Sequence, residues 1–163
     1  MNLSMKFLAL FYITALYLAA DRNNEEIINY LLSCTNIEIG SSYFKGCKKL
    51  RRINIPSSVD SIDNFAFMEC PSLEKVSIPF SVTSIAKGTF SKCKSLKEIF
   101  IPSSITTIEK AAFQSCESLK QIKIPGAVTK IEEYSFNLCN SLTKIILPDS
   151  VTFIGKNAFQ DCP

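Results

Sequence analysis

The sequence lacks histidine and tryptophan entirely, and only five of its 163 residues are glycine. Without histidine, the chain has no residue of the type that most often serves as general base or metal ligand at neutral pH. Serine–histidine and cysteine–histidine catalytic pairs are therefore excluded. No glycine-rich phosphate-binding loop occurs either. We expect no enzymatic activity, no cofactor and no metal site.

The excess of one sign of charge over the other is also small, because the net charge is only +3. So mild an excess does not favour nucleic acid as a partner, and we expect neither nucleic acid nor a small-molecule substrate. A hydrophobic fraction of 47% is enough for a folded core, and the length suits one domain. Composition therefore favours an ordered, non-catalytic domain.

Long apolar runs are scarce as well, with one exception at residues 7–20, which follow Lys6 and precede polar residues 21–24. A short basic start and a brief apolar stretch predict a signal peptide over residues 1–20, because the run is too short to span a bilayer. Cleavage after Ala20 would place Leu18 three residues before the cut, where a small residue is preferred, so the match to a cleavage site is imperfect. Two alternatives stay open: an uncleaved membrane anchor and a buried segment of a cytoplasmic protein.

What the sequence has in abundance is periodicity. Six cysteines, six phenylalanines and five prolines each recur every 23 residues: Cys47, Cys70, Cys93, Cys116, Cys139 and Cys162; Phe44, Phe67, Phe90, Phe113, Phe136 and Phe159; Pro56, Pro79, Pro102, Pro125 and Pro148. A repeat of this length predicts a solenoid, in which each coil buries its apolar side against its neighbours.

One coil can be divided into three parts. Residues 96–101 place apolar side chains on one side of a short strand, which Pro102 ends because proline has no N–H for a ladder bond. Ile105 and Ile108 predict a second extended segment. Phe113 and Cys116, three residues apart, predict a single helical or 3₁₀ turn.

The regular cysteines occupy equivalent places in successive coils, so their Cβ vectors would run parallel instead of converging on a disulfide. We predict a ladder of buried free thiols. Cys34 lies outside the register and is expected to be the accessible thiol.

Residues 21–35 are predicted to form an N-terminal capping helix, with Asn23 as its N-cap. Ile27, Tyr30 and Leu31 would cover the first coil. Residues 36–163 are predicted to form the solenoid, with about six coils and the last one incomplete. That incomplete coil suggests a fragment, a truncated gene product or an oligomerisation edge.

The pattern L-x-x-I-x-I-P-x-x-V-x-x-I-x-x-x-x-F-x-x-C-x-x, which covers about residues 36–163, resembles the cysteine-containing leucine-rich repeats of the BspA-like family. The resemblance implies an α/β, β-dominated, right-handed solenoid with parallel short strands and short helical or 3₁₀ turns. It also implies an adhesive or protein-binding role of the kind found in microbial surface proteins, and it carries no catalytic residues.

A partner would be recognised at the variable strand positions, which carry seven basic and two acidic residues among apolar exceptions. This mildly basic face predicts a protein or acidic glycan partner. The candidate partner-binding residues are Arg51, Arg52, Lys75, Lys97, Phe100, Lys120, Lys123, Lys144 and Ile146. The alternative is a solvated face kept basic for solubility. Further outward aromatics, namely Phe65, Phe80, Tyr134 and Phe153, are expected to be local packing adjustments, with a binding hot spot as the alternative.

These features predict a secreted or cell-surface adhesion module that binds a host or extracellular partner through its strands. The alternative is an intracellular scaffold or regulator, favoured by reduced thiols. A membrane is expected as a partner only through an uncleaved N-terminal segment.

Overall fold

The computed structural model describes the backbone of residues 3–33 and 38–163 and the side chains of residues 11–33 and 38–163. Two helices, α1 (Leu3–Asp21) and α2 (Glu25–Ser33), precede a stack of short strands. The strands are β1 (Arg52–Asn54), β2 (Lys75–Ser77), β3 (Ser84–Ile85), β4 (Glu98–Phe100), β5 (Thr107–Ile108), β6 (Gln121–Lys123), β7 (Lys130–Ile131), β8 (Lys144–Ile146) and β9 (Phe153–Ile154). The predicted β-dominated solenoid is confirmed.

The strands form two surfaces, each built of parallel strands, and the pairing register in both follows the 23-residue period of the sequence. Partners lie 23 residues apart, as in Arg52↔Lys75 and Thr107↔Lys130. The second sheet runs β3-β5-β7-β9 without a break. On the other surface, which we call the strand face, the strands pair as β1-β2-β4 and as β6-β8, and no ladder joins β4 to β6. The strand face is therefore interrupted where the second sheet is continuous.

A column of stacked phenylalanines runs through the core. The rings of Phe44 to Phe159 lie nearly parallel, with successive centroids 5.0–5.5 Å apart and interplanar angles of 3–14°. The five rings from Phe44 to Phe136 are fully buried. Burying one large apolar side chain contributes roughly 1.5–3 kcal/mol, so this column is a major source of stability.

The cysteines form a second column beside the rings. From Cys70 onward, each thiol donates to the carbonyl of the phenylalanine one coil earlier, as Cys70 does to Phe44 at 2.9 Å and Cys139 to Phe113 at 3.1 Å. Burial raises the pKa of Cys139 to about 12. The predicted ladder of buried free thiols is confirmed from Cys47 to Cys139, while Cys162 is partly exposed. Cys34 lies outside the described residues.

The corner that carries each phenylalanine and cysteine is a tight turn. The N–H of Cys116 donates to the carbonyl of Phe113 at 3.2 Å, which is the i→i+3 bond of a 3₁₀ turn. The N–H of Phe113 instead donates to Ser135 of the next coil at 2.7 Å. Left-handed residues at Ala111 (φ 56°) and Ser115 (φ 59°) produce this alternation. Corner backbone thus bonds alternately within its own coil and to the next.

Two details predicted for α2 are wrong. Asn24 is the N-cap, because its Oδ1 accepts the N–H of Ile27 at 3.1 Å, whereas Asn23 accepts the N–H of Arg51 at 2.7 Å. The residues facing the first coil are Ile28 and Leu32, both fully buried. Ile27 and Tyr30 are exposed, and Leu31 is only partly buried. Ile27 with Leu31 and Ile28 with Leu32 are both apolar pairs four residues apart, so periodicity could not show which pair is buried.

Helix α1 packs against α2 through its C-terminal half. Leu16, Ala19 and Ala20 are buried in the same core cluster as the solenoid residues, and the carbonyl of Ala19 accepts the N–H of Asn24 at 2.9 Å. None of the helices in the described chain combines the length and hydropathy that a bilayer-crossing segment needs. Removal of residues 1–20 stays a prediction.

Candidate functional site

All nine candidate partner-binding residues lie exposed on the strand face. Strand alternation places them there: in β1, Arg52 and Asn54 point outward while Ile53 is buried. Their role in binding stays a prediction. The structure brings them together but gives them unequal electrostatic surroundings.

In the ion-paired half of the strand face, formed by β1, β2, β4 and the residues just before them, three of the four cations form ion pairs with two carboxylates. Glu74 lies 3.0 Å from the Lys97 amine and 3.1 Å from the Arg51 guanidinium. The hydrogen bond and charge of Lys97, with a smaller contribution from Arg51, lower the pKa of Glu74. Lys75 and Glu98 approach to 4.0 Å.

In the basic half, formed by β6, β8 and the residues just before them, the cations have no such partners. Within the described residues, Lys120, Lys123 and Lys144 make no ion pair. Neither strand carries an acidic residue. Unpaired exposed cations are the ones available to an anionic partner.

Two adjoining clefts, together called the recess, open at the interruption between β4 and β6. One, of about 250 Å³, is lined mainly by Glu98, Ile99, Gln121, Lys123, Lys144 and Ile146. The other, of about 290 Å³, is lined mainly by Phe80, Ile99, Phe100, Lys123, Pro125 and Gly126. Ile99 is only half-buried, whereas its equivalents Val76 and Ile122 are buried. On the side of Ile99 that faces β6, no ladder holds the next strand against β4.

An exposed aromatic pair forms one wall of the recess. Phe80 and Phe100 are 64% and 62% exposed and pack edge to face, with centroids 6.3 Å apart. The sequence placed Phe80 among local packing adjustments, yet it belongs to this surface. The sequence carried a signal for this pair, since Phe80 and Phe100 are both aromatic residues at outward positions of adjacent coils, where polar residues are expected.

Two other outward aromatics are partly buried, and each lies beside a lysine. Phe65 is partly buried, with the Lys87 amine 5.5 Å from its ring centroid. Tyr134 is partly buried in the same way, with the Lys110 amine at 5.8 Å. Phe153 lies half-exposed on β9, away from the strand face.

Comparison with known proteins identifies the same architecture. A model of the BspA type leucine rich repeat region matches residues 21–163 with six copies. A search of curated proteins found no match.

Solved structures with the same fold include bacterial repeat proteins. A leucine-rich repeat protein from Bacteroides ovatus is 42% identical, with a TM-score of 0.71 over 74% of this chain and 31% of that one. A leucine rich cell surface protein from Faecalibacterium prausnitzii is 37% identical, with a TM-score of 0.72 over 77% of this chain and 34% of that one. A leucine-rich repeat protein from T. pallidum is 35% identical, with a TM-score of 0.66 over 71% of this chain and 57% of that one. The chain thus spans about a third of the length of the first two.

Proposed function

Because this chain belongs to the BspA-type leucine-rich repeat family, whose fold is generally a non-enzymatic scaffold for protein interactions, we propose that it binds an acidic partner through its strand face. The observation that carries the proposal is the basic half, where Lys120, Lys123 and Lys144 lie exposed and make no ion pair among the described residues. The partner is an acidic protein or an acidic glycan.

We further propose that the protein acts at the cell surface or after secretion, as an adhesion module. Support comes from the apolar N-terminal run and from the similarity to a leucine rich cell surface protein.

An intracellular scaffold is the second candidate, and two observations favour it. The thiols from Cys47 to Cys139 are free, and the C-terminal half of α1 packs into the core, where cleavage after Ala20 would remove buried side chains. Mass spectrometry of the N-terminus of the natural protein separates the two: a start near Asp21 supports export, and an intact start at Met1 supports the scaffold.

The binding face is tested by charge reversal. We expect replacement of Lys97, Lys120 and Lys123 by glutamate to abolish binding of a poly-glutamate peptide and of a sulfated oligosaccharide, with the circular dichroism spectrum unchanged. Binding by the unmodified protein should weaken as salt rises, because exposed charges are screened over roughly 8–10 Å.

The matched control replaces three exposed lysines away from the strand face, Lys48, Lys130 and Lys156, by glutamate. This control changes the net charge equally and should retain most binding. Equal loss in both triple variants would mean that only the overall charge matters, and the strand-face proposal would fail.

A further inference from the structure

We infer that the recess between β4 and β6 is the specificity-determining part of the strand face, and that it takes an acidic peptide segment in which an aromatic side chain adjoins a carboxylate. The inference deepens the proposed function and rests on it.

The recess has a rigid floor. In the same two coils, β5 and β7 pair in continuous register, and the Phe113 ring stacks on Phe90 and Phe136 at 5.5 and 5.2 Å. The coils on either side are therefore held together by the core and the second sheet. The opening is confined to the strand face, so its shape is set before a partner arrives, which limits the entropy lost on binding.

One wall of the recess suits an aromatic ring. Phe80 and Phe100 expose most of their surface and meet edge to face, and half-buried Ile99 lies beside them. An incoming ring could join this cluster in the offset or edge geometry that aromatic pairs prefer, while it removes apolar surface from water. Exposed aromatic clusters of this kind are typical of binding hot spots.

The other wall suits a carboxylate. Lys123 lines both clefts and Lys144 lines the one next to Ile146, and neither has an ion-pair partner among the described residues. The nearby acid, Glu98, faces Lys75 at 4.0 Å. Because Lys123 and Ile99 are common to both clefts, the ring and the carboxylate would come from neighbouring residues of one ligand.

Side-chain chemistry favours a peptide as that ligand. No ladder joins β4 to β6, yet their Cα atoms approach within 8 Å, which leaves no room for a further strand between them. The ligand therefore lies on the recess and is recognised through its side chains. A short acidic peptide carries a ring and a carboxylate on neighbouring residues, whereas a glycan carries the anion without the aromatic ring.

The test uses fluorescence anisotropy with three labelled probes of equal length. The first is an Asp/Glu heptapeptide with one central Phe, the second has Ala in place of that Phe, and the third is oligo-dT. We expect the Phe peptide to bind at least five-fold more tightly than the Ala peptide, and oligo-dT to bind more weakly than either.

Two variants and two matched controls locate the binding. Phe100→Ser should remove the preference for the Phe peptide while leaving the Ala peptide unaffected, and the effect should persist at high salt. Lys123→Gln should weaken both peptides about ten-fold at low salt. Phe153→Ser and Lys130→Gln, which change exposed residues of the same types on the second sheet, should have no effect. Thermal melts of all four confirm folding.

Equal binding of the Phe and Ala peptides would overturn the inference, as would tighter binding of oligo-dT or an equal effect of Phe153→Ser. If strand-face charge reversal still abolishes binding in those cases, the proposed function survives and only the recess is wrong. If charge reversal also has no effect, both fail.

Discussion

In the ion-paired half of the strand face, Glu74 lies between Arg51 and Lys97 and pairs with both, whereas in the basic half neither Lys120 nor Lys144 makes an ion pair among the described residues. Both halves are built from the same 23-residue repeat. The difference comes from outward residues alone, such as Gln121 where the preceding coil has Glu98. In this solenoid, surface chemistry can therefore change from one coil to the next without any change in the core.

The two halves also differ in how they are joined. Within each half, backbone ladders connect neighbouring strands, but no ladder connects β4 to β6, and the two coils are joined there by the corner hydrogen bonds, the core and the second sheet. This junction is therefore the place where the halves could separate.

The largest effect is expected from Phe113→Ala, in the coil that borders the interruption. Loss of a fully buried ring and the resulting cavity should lower the free energy of unfolding by about 3–5 kcal/mol. Because coils contact only their neighbours, the urea unfolding curve should split into two transitions. Phe67 is equally buried and lies within the ion-paired half. The Phe67→Ala variant should lose as much free energy of unfolding as Phe113→Ala but should unfold in one transition. A loss below about 1 kcal/mol for Phe113→Ala would contradict its place in the core.

Thiol labelling tests whether the interruption loosens the interior. Cys93 and Cys116 lie in the core on the side of the interruption occupied by β4, and both are fully buried. Burial also raises the pKa of Cys116. Since only the thiolate reacts, iodoacetamide at pH 8 should modify these residues at least about a hundred-fold more slowly than in denaturant, as peptide mapping would show. Cys34 should be modified first. Rapid native labelling of Cys116 would show that the core opens at this junction.

Single neutralisations compare the halves directly. Lys120→Gln removes a cation with no carboxylate partner and should weaken poly-glutamate binding about five-fold, a typical effect for one exposed charge. Lys97→Gln removes a cation whose charge Glu74 already offsets, so binding should change less than about two-fold. Equal losses in titrations at low salt would show that the ion pairs do not distinguish the halves.

The smallest effect is expected from Glu74→Gln, which frees Arg51 and Lys97 and should strengthen poly-glutamate binding about two-fold. Glu69→Gln breaks a 2.7 Å pair with Lys92 away from the strand face and should leave binding unchanged. The lowered pKa of Glu74 means that its pairing stabilises the protein above the ordinary glutamate pKa and is lost as pH falls through the lowered value. Thermal melts of Glu74→Gln and the unmodified protein should therefore converge in acid. A persistent difference there would contradict the ion-pair assignment.

The interior was predictable because every coil must present the same shape to its neighbours. Phe113 and Cys116 recur at fixed spacing for this reason, and the structure places both where the period predicts. The interruption was not predictable from the same pattern. Residues 96–101 and 119–124 match the repeat equally well, yet their strands do not pair.

The charge difference between the halves could have been found in the sequence. Glu74 lies 23 residues from both Arg51 and Lys97, and residues one period apart are neighbours in a solenoid. A count of charges over the whole face hides this pairing, because it sums residues that neutralise one another with residues that do not. The buried side of α2 was not recoverable in this way, since Ile28 and Ile27 are chemically identical.

The corner hydrogen bonds have a consequence for how such a protein can change length. Each corner offers the preceding coil carbonyl oxygens of the main chain, such as that of Ser135, which accepts the N–H of Phe113. A main-chain acceptor is the same whichever side chain it carries, so duplicating or deleting one whole 23-residue unit leaves every remaining coil a compatible neighbour. The spacing between two surface groups can then lengthen or shorten in steps of about 4.8 Å, the distance between adjacent strands. Unequal recombination within the gene would thus move the aromatic wall relative to the lysines by whole coils, with the core intact.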